Sequence, residues 1–330
     1  MGVAVSRAGL LAWARIPAVV IATAFPVVFA KHIESFELTF LIGFLMLVAA
    51  ASGVELLYDR KVAAELEDAR RRLQIQKARG LTMGRLFGLV SPVAAVLAYK
   101  DSLTPAQKEA AKNRIDESIV QVLKAVCEEA WTYWNPFGSA EAPVQGSVMV
   151  AHATATCGPA ILAELDARAK FVSFGRGLSS YKHVLDVVFC SESSPKFVPI
   201  AIPVEDENSP QGIKRLLPGA PTAFATGEDV IIPDTRDLRG HTGSDVDPDV
   251  LREDQGYFES RKIRSMACLL LHETRDKKQS QNRVGVLNIH SDRVGVLGTS
   301  RQEQQTIIGS LEHYRVALEY LLDGQRQLSA

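Results

Sequence analysis

Cysteine is scarce in this chain and is not arranged to bind metal. The 330 residues contain four cysteines, Cys127, Cys157, Cys190 and Cys268. They lie far apart, with no CxxC pair and no Cys/His ligand spacing, which argues against a zinc site. Thiols without a pairing pattern fit a reducing compartment better than an oxidising one. An excess of one charge is also missing. The 37 Lys and Arg residues nearly balance 38 Asp and Glu. No overall field therefore draws the chain to nucleic acid or to acidic substrates, and no nucleic-acid partner is expected. There is no GxxxxGK[ST] phosphate loop, and no Ser/His/Asp or Cys/His constellation stands out. No catalytic residue is assigned, and an enzyme is not the leading expectation.

Two long apolar runs stand near the start, Leu10 to Ala30 and Leu38 to Leu57. The second is about as long as the ~20 residues a helix needs to cross a bilayer. Arg7 and Arg15 precede or begin the first run, and Arg60, Lys61, Arg70, Arg71 and Arg72 follow the second. By the bias of positive charge toward the cytoplasmic side, this predicts a two-helix transmembrane hairpin after a short tail over 1–9. The lipid bilayer would be a partner, the location a multi-pass position in the cell membrane, and the soluble part cytoplasmic. Val28-Phe29-Ala30 also resembles a signal-peptidase site, which leaves a cleaved first run as an alternative.

Residues 58–80 read as a helical stalk. Val62, Leu66, Ala69, Leu73 and Gln76 follow a short heptad seam, which suits either a parallel dimeric coiled coil or a solvated helix with one apolar stripe. A helical connector is expected over 81–110, with the apolar stretch Leu81 to Tyr99 buried or interfacial. Thr104 is a candidate N-cap, Pro105 suits the first helical position, and Lys108 stands where a capping box would want Glu. The following helix carries Ile115, Ile119, Val122, Leu123 and Val126 on one face and ends near Asn135-Pro136.

From Val148 onward the pattern changes. Val148 to His152, Val184 to Cys190, Ile200 to Val204, Met266 to His272 and Val284 to His290 are short, apolar, β-branched runs that predict strands. Pro159 to Lys170 and Ile307 to Leu322 predict helices. The whole reads as an α+β domain with an antiparallel sheet.

Several segments have a familiar wording. The stretch PGAPTAFATGEDVIIPDTRDL, Pro218 to Leu238, leads from a small-residue helix through Thr226-Gly227-Glu228 to an apolar strand and Asp234. IRSMACLLLH, GVLNIHSDRVGVLG and EQQTIIGSLEHYRVALEYLL follow in order. Together these resemble the GAF domain family, over roughly Ala111 to Leu322. The resemblance implies a GAF/PAS-like antiparallel sheet flanked by helices over 111–325. It also implies a pocket between the sheet and a loop-rich middle, and dimerisation through the flanking helices.

Specialised members of that family fit poorly. His290-Ser291 and Leu297 replace the Asn-Lys and Phe of cyclic-nucleotide binders. No Cys-His dipeptide is present for a bilin, and the loop from Gly212 to Gly240 lacks the cysteines of methionine-sulfoxide reductases. His183, His272 and His290 stand at strand ends, where ordinary hydrogen-bonded histidines are more common than haem ligands. The acidic stretch Asp237 to Gly256 lacks the spacing of an EF-hand loop and reads as a solvated loop, in this family a candidate lid. No metal site is assigned, and the cofactor is unknown.

The family's pocket borders place Phe224, Ile232, Asp234, Thr235, Tyr257 and His290 as candidate ligand-binding residues. For Asp234, bonding to backbone donors of the next turn is the simpler role. The expectation is a membrane-anchored sensor or regulatory protein, forming a homodimer. Its GAF-like domain would bind a small molecule or a signalling partner and act through its flanking helices. A membrane-perturbing effector assembled by its hairpins, and an enzyme with an unrecognised site, are the alternatives.

Overall fold

A computed structural model describes residues 57–63, 65–66, 69, 83–134, 144–191, 200–238, 240–273 and 282–329. The chain divides into two units, Met1–Arg72 and Leu73–Ala330.

In the first unit the described residues are helical and exposed, including Val62, Leu66 and Ala69 of the heptad seam. The two apolar runs lie outside the described residues, apart from Leu57. Among the described residues, no helix is long and apolar enough to cross a membrane. The expected hairpin over 10–30 and 38–57 and the multi-pass location in the cell membrane are corrected accordingly. The physical reason lies in the helices themselves. The long described ones carry charged side chains, and the described part of the apolar helix, 83–98, is shorter than the ~20 residues a span requires.

The second unit is α+β, built on a curled antiparallel sheet that forms a half-barrel. Its strands are β1 (Val144–Ala153), β2 (His183–Cys190), β3 (Ala201–Val204), β4 (Val230–Ile232), β5 (Ser265–His272) and β6 (Arg283–Ser291), in the order β3-β2-β1-β6-β5-β4. The helices are α1 (residues 83–98), α2 (Pro105–Trp134), α3 (Pro159–Ala167), α4 (Pro210–Lys214), α5 (Ala220–Thr226), α6 (Pro248–Ser260) and α7 (Arg301–Ser329).

The sheet is buried on both faces, and strand alternation decides which residue goes where. In β5, Ala267, Leu269 and Leu271 join the core shared with α2 and α7, while Met266, Cys268 and Leu270 point into a second core. On the first face, Ile115, Ile119, Val122 and Val126 of α2 meet Ile307, Leu311, Tyr314 and Leu318 of α7 at helical spacing. Leu86 and Val93 of α1 are buried in the same core, so the expected apolar stretch is helical over 83–98 and partly buried there. Asp229, just before β4, fastens α7 to the sheet. Its Oδ1 accepts from Leu270 N at 2.8 Å and its Oδ2 pairs with Arg315 at 3.3 Å. Glu319 accepts from His272 N at 2.9 Å.

Both long helices open on reciprocal caps. At α2, Thr104 N donates to Gln107 Oε1 at 2.9 Å, so Gln107 and not Lys108 completes the box. At α7, Ser300 N donates to Glu303 at 3.1 Å, and Glu303 N donates to Ser300 Oγ at 3.3 Å. Bonds from the Thr299 and Ser300 backbone and hydroxyls hold the Glu303 carboxyl at a pKa of about 2.

The curl has local causes. Register shifts interrupt the β1–β2 pair at Val148/Met149 and the β5–β6 pair at Leu271/His272. Gly285 stands beside the second shift, where a Cβ would lie 2.0 Å from Met149 O. No rotamer change relieves a clash with backbone. Gly285→Ala is therefore expected to lower stability by about 2–4 kcal/mol, read from the urea midpoint, by forcing β1 and β6 apart.

Candidate functional site

The second face of the sheet is only partly filled. Between it and α5, α6 and the segment after α3 lies a cavity of about 290 Å³. Strand alternation supplies its floor. Ser147 and Met149 point in from β1, Val187 from β2, and Asn288 and His290 from β6. Ala220 and Pro221 at the start of α5 form one wall, and Asp254, Tyr257 and Phe258 of α6 form another.

The segment expected to be a solvated acidic lid forms α6 in its second half. Asp247 caps this helix by accepting from Asp249 N at 2.9 Å, and Pro248 takes the first helical position. Val250, Asp254 and Phe258 then recur at a spacing of four and become its buried residues. A carboxylate is thereby carried into the core.

Asp254 is the most unusual group in the cavity. The residue is 4% exposed, and its Oδ2 has no hydrogen-bond partner. Burial, aided by the neighbouring charge of Glu253, raises its pKa from 3.8 to about 7. His290 shows the opposite response. Burial, with help from Arg261, lowers its pKa to about 4, so the ring is neutral near pH 7. Its Nε2 lies 3.0 Å from Gln145 Oε1 on the paired strand, which assigns the proton to Nε2 and leaves Nδ1, itself without a partner, as an acceptor. Burial also raises the Tyr257 phenol, whose ring meets Phe171 edge-on at 5.6 Å.

Among the described residues, two that are not glycine have positive φ, Phe171 (61°) and Lys262 (57°), and both line this cavity. Lys262 closes α6 in a Schellman arrangement: Lys262 N donates to Glu259 O at 3.1 Å and Ile263 N to Phe258 O at 2.8 Å. Glycine usually occupies that position, and a lysine there costs about 1 kcal/mol. Phe171 also lines a second cavity of about 290 Å³, where Arg176 stacks on Tyr181 at 4.1 Å and pairs with Glu205. Phe171, Leu217 and Pro221 are common to both cavities.

Of the six candidate residues, the structure places Tyr257 and His290 on the cavity wall. The other four lie elsewhere. Ile232 is fully buried in the second core, and Phe224 packs there with its ring edge-on to His183 at 5.1 Å. Thr235 Oγ1 donates to Ile263 O at 2.6 Å. Asp234 accepts from Arg236 N at 3.1 Å and pairs with Arg236 and Arg264, which holds its carboxyl at about 2. Both residues thus fasten the turn after β4 to the start of β5. The three strand-end histidines do not converge. Among the described residues, no group of three His, Cys, Asp or Glu is placed to hold a metal ion. Cys268 is fully buried, and burial pushes its thiol well above the usual range. Sequence reasoning missed Asp254, Lys262 and Phe171. The Val250-Asp254-Phe258 spacing was the available signal for the first.

Comparison with protein-family models and with curated proteins finds no match.

Two predictions follow from these groups. A carboxyl whose pKa is raised on folding destabilises the fold as pH climbs from its unfolded value through its folded one. Asp254 therefore lowers stability between about pH 4 and pH 7, by roughly 4 kcal/mol at most. His290 has the opposite slope from about pH 6.5 down to pH 4, since the unfolded ring takes up the proton first. The difference between wild type and Asp254→Asn isolates the first effect. The variant should gain relative stability steadily across that window, measured by urea unfolding at each pH. Lys262→Gly should raise stability by about 1 kcal/mol at all pH values, and a lower melting temperature would contradict the strain assigned to that position.

Proposed function

We propose that this unit is a ligand-binding regulatory domain of the GAF type. It seats a small molecule in the cavity between the sheet and α6 and passes the change in occupancy to α2 and α7. The observation that carries this reading is the cavity itself. Its lining is mostly apolar, with a few convergent polar groups, and it contains a carboxyl and an imidazole nitrogen that the protein leaves without partners. Positive-φ backbone at Phe171 and Lys262, both on the cavity lining, supports it, because such strain concentrates where binding requires a fixed geometry.

The opposite face supplies the output. β5 and β6 touch the cavity with one set of side chains and α7 with the other. A ligand that prefers one curvature of the sheet therefore biases the seating of α7, and it does so only by its difference in affinity for the two arrangements. A second copy of the chain, paired through the flanking helices, is the partner that would read this shift.

Native mass spectrometry of the full chain, taken directly from the cells that make it, tests the proposal. The expected result is a fraction of protein carrying one small-molecule mass, together with a dimer. Val187→Phe fills the cavity from β2 and should abolish the added mass while leaving the circular dichroism spectrum unchanged. Added mass that persists in Val187→Phe would place the ligand elsewhere and defeat the reading.

A further inference from the structure

The geometry points to a small organic cation, an amine or amidine on a compact apolar body, as the class of ligand that enters the cavity at α6. This rests on the ligand-binding reading of the same cavity and adds the chemistry of its occupant.

Three observations converge on it. Asp254 is almost wholly buried, lines the cavity and has no partner for Oδ2. No basic side chain among the described residues pairs with it. Arg261, at the end of the same helix, lies over the Tyr257 ring at 5.8 Å. A buried carboxylate without a counter-charge is one of the costlier features a core can hold, and a bound cation would supply both the charge and the donor it lacks.

The surroundings suit a cation as well. Phe171 and Tyr257, edge to face at 5.6 Å, line the same space. Aromatic faces beside a carboxylate are the usual surroundings of a bound ammonium group. His290 adds a further acceptor, since Nδ1 has no proton while Nε2 bonds to Gln145. A ligand with N–H groups satisfies both atoms, whereas a carboxylate or phosphate would face acceptors. Lys262 and Arg261 are exposed at the rim, so an anionic ligand is the competing outcome that the test must include.

The test compares benzylamine, benzyl alcohol and benzoate, matched in size and differing in charge, by titration calorimetry on the full chain at pH 8. Benzylamine should bind about tenfold or more tightly than benzyl alcohol, and benzoate more weakly than either. Asp254→Asn should weaken benzylamine by about tenfold and change benzyl alcohol by less than about twofold, which also shows that the variant is folded. Benzyl alcohol binding with no advantage for benzylamine, tighter binding of benzoate, or an advantage that survives Asp254→Asn would each overturn the cation and leave the cavity as a ligand site. Failure of all three probes to bind would remove the ligand site together with the cation.

Discussion

The structure depends on one constraint, the two-sided burial of the central strands. β5 and β6 are buried almost throughout, and β1 over Gly146–Met149, so these side chains must match one of two different environments. One environment is the tight seam of α2 and α7. The other is the looser space under α5 and α6. Because the side-chain period is two, a slip of one residue would exchange the sets, and the register is fixed by that penalty. The shifts at Val148/Met149 and Leu271/His272, with Gly285 between close backbones, then bend the sheet around the looser side. The cavity is a result of this curvature. A curled sheet cannot be covered completely by two short helices.

Some polar groups on the two faces are used differently. On the helical face they act as fasteners: Asp229 joins β5 to Arg315, and Glu319 accepts from His272. On the cavity side, Asp254 Oδ2 and His290 Nδ1 are left unmatched. A fold selected for stability alone would replace Asp254 with an apolar residue of similar size, as its helix neighbours Val250 and Phe258 already illustrate. Keeping an unmatched carboxyl there reduces stability.

Much of the scaffold could be read in the sequence, because its signals are local. The short apolar runs around Val184, Met266 and Val284 mark β2, β5 and β6, and the α2 and α7 stripes show at helical spacing. Gly227 was legible as a turn, and in the structure it is the left-handed residue that ends α5, with φ of 77°. The site was harder to read. Asp254 lies in a stretch so rich in acid and glycine that composition argued for solvent. Only the cap at Asp247 and the spacing of Val250, Asp254 and Phe258 distinguish a helix there. Phe171 was illegible for a different reason. Its place on the wall follows from a left-handed backbone, and no side-chain pattern announces that. The bond of Asp234 to the next turn, at Arg236 N, was legible, whereas Arg264 and the Ile263 carbonyl that Thr235 reaches are brought by tertiary pairing.

Phe171 stands with Leu217 and Pro221 on the boundary that two chambers share. One is lined by the Asp254 carboxyl and the His290 imidazole, the other by the Arg176–Glu205 ion pair. Because the partition is shared, the chambers cannot change shape independently. Displacing the ring enlarges one side at the expense of the other or opens a passage between them. A change in the shape of one chamber at this boundary is therefore felt in the other.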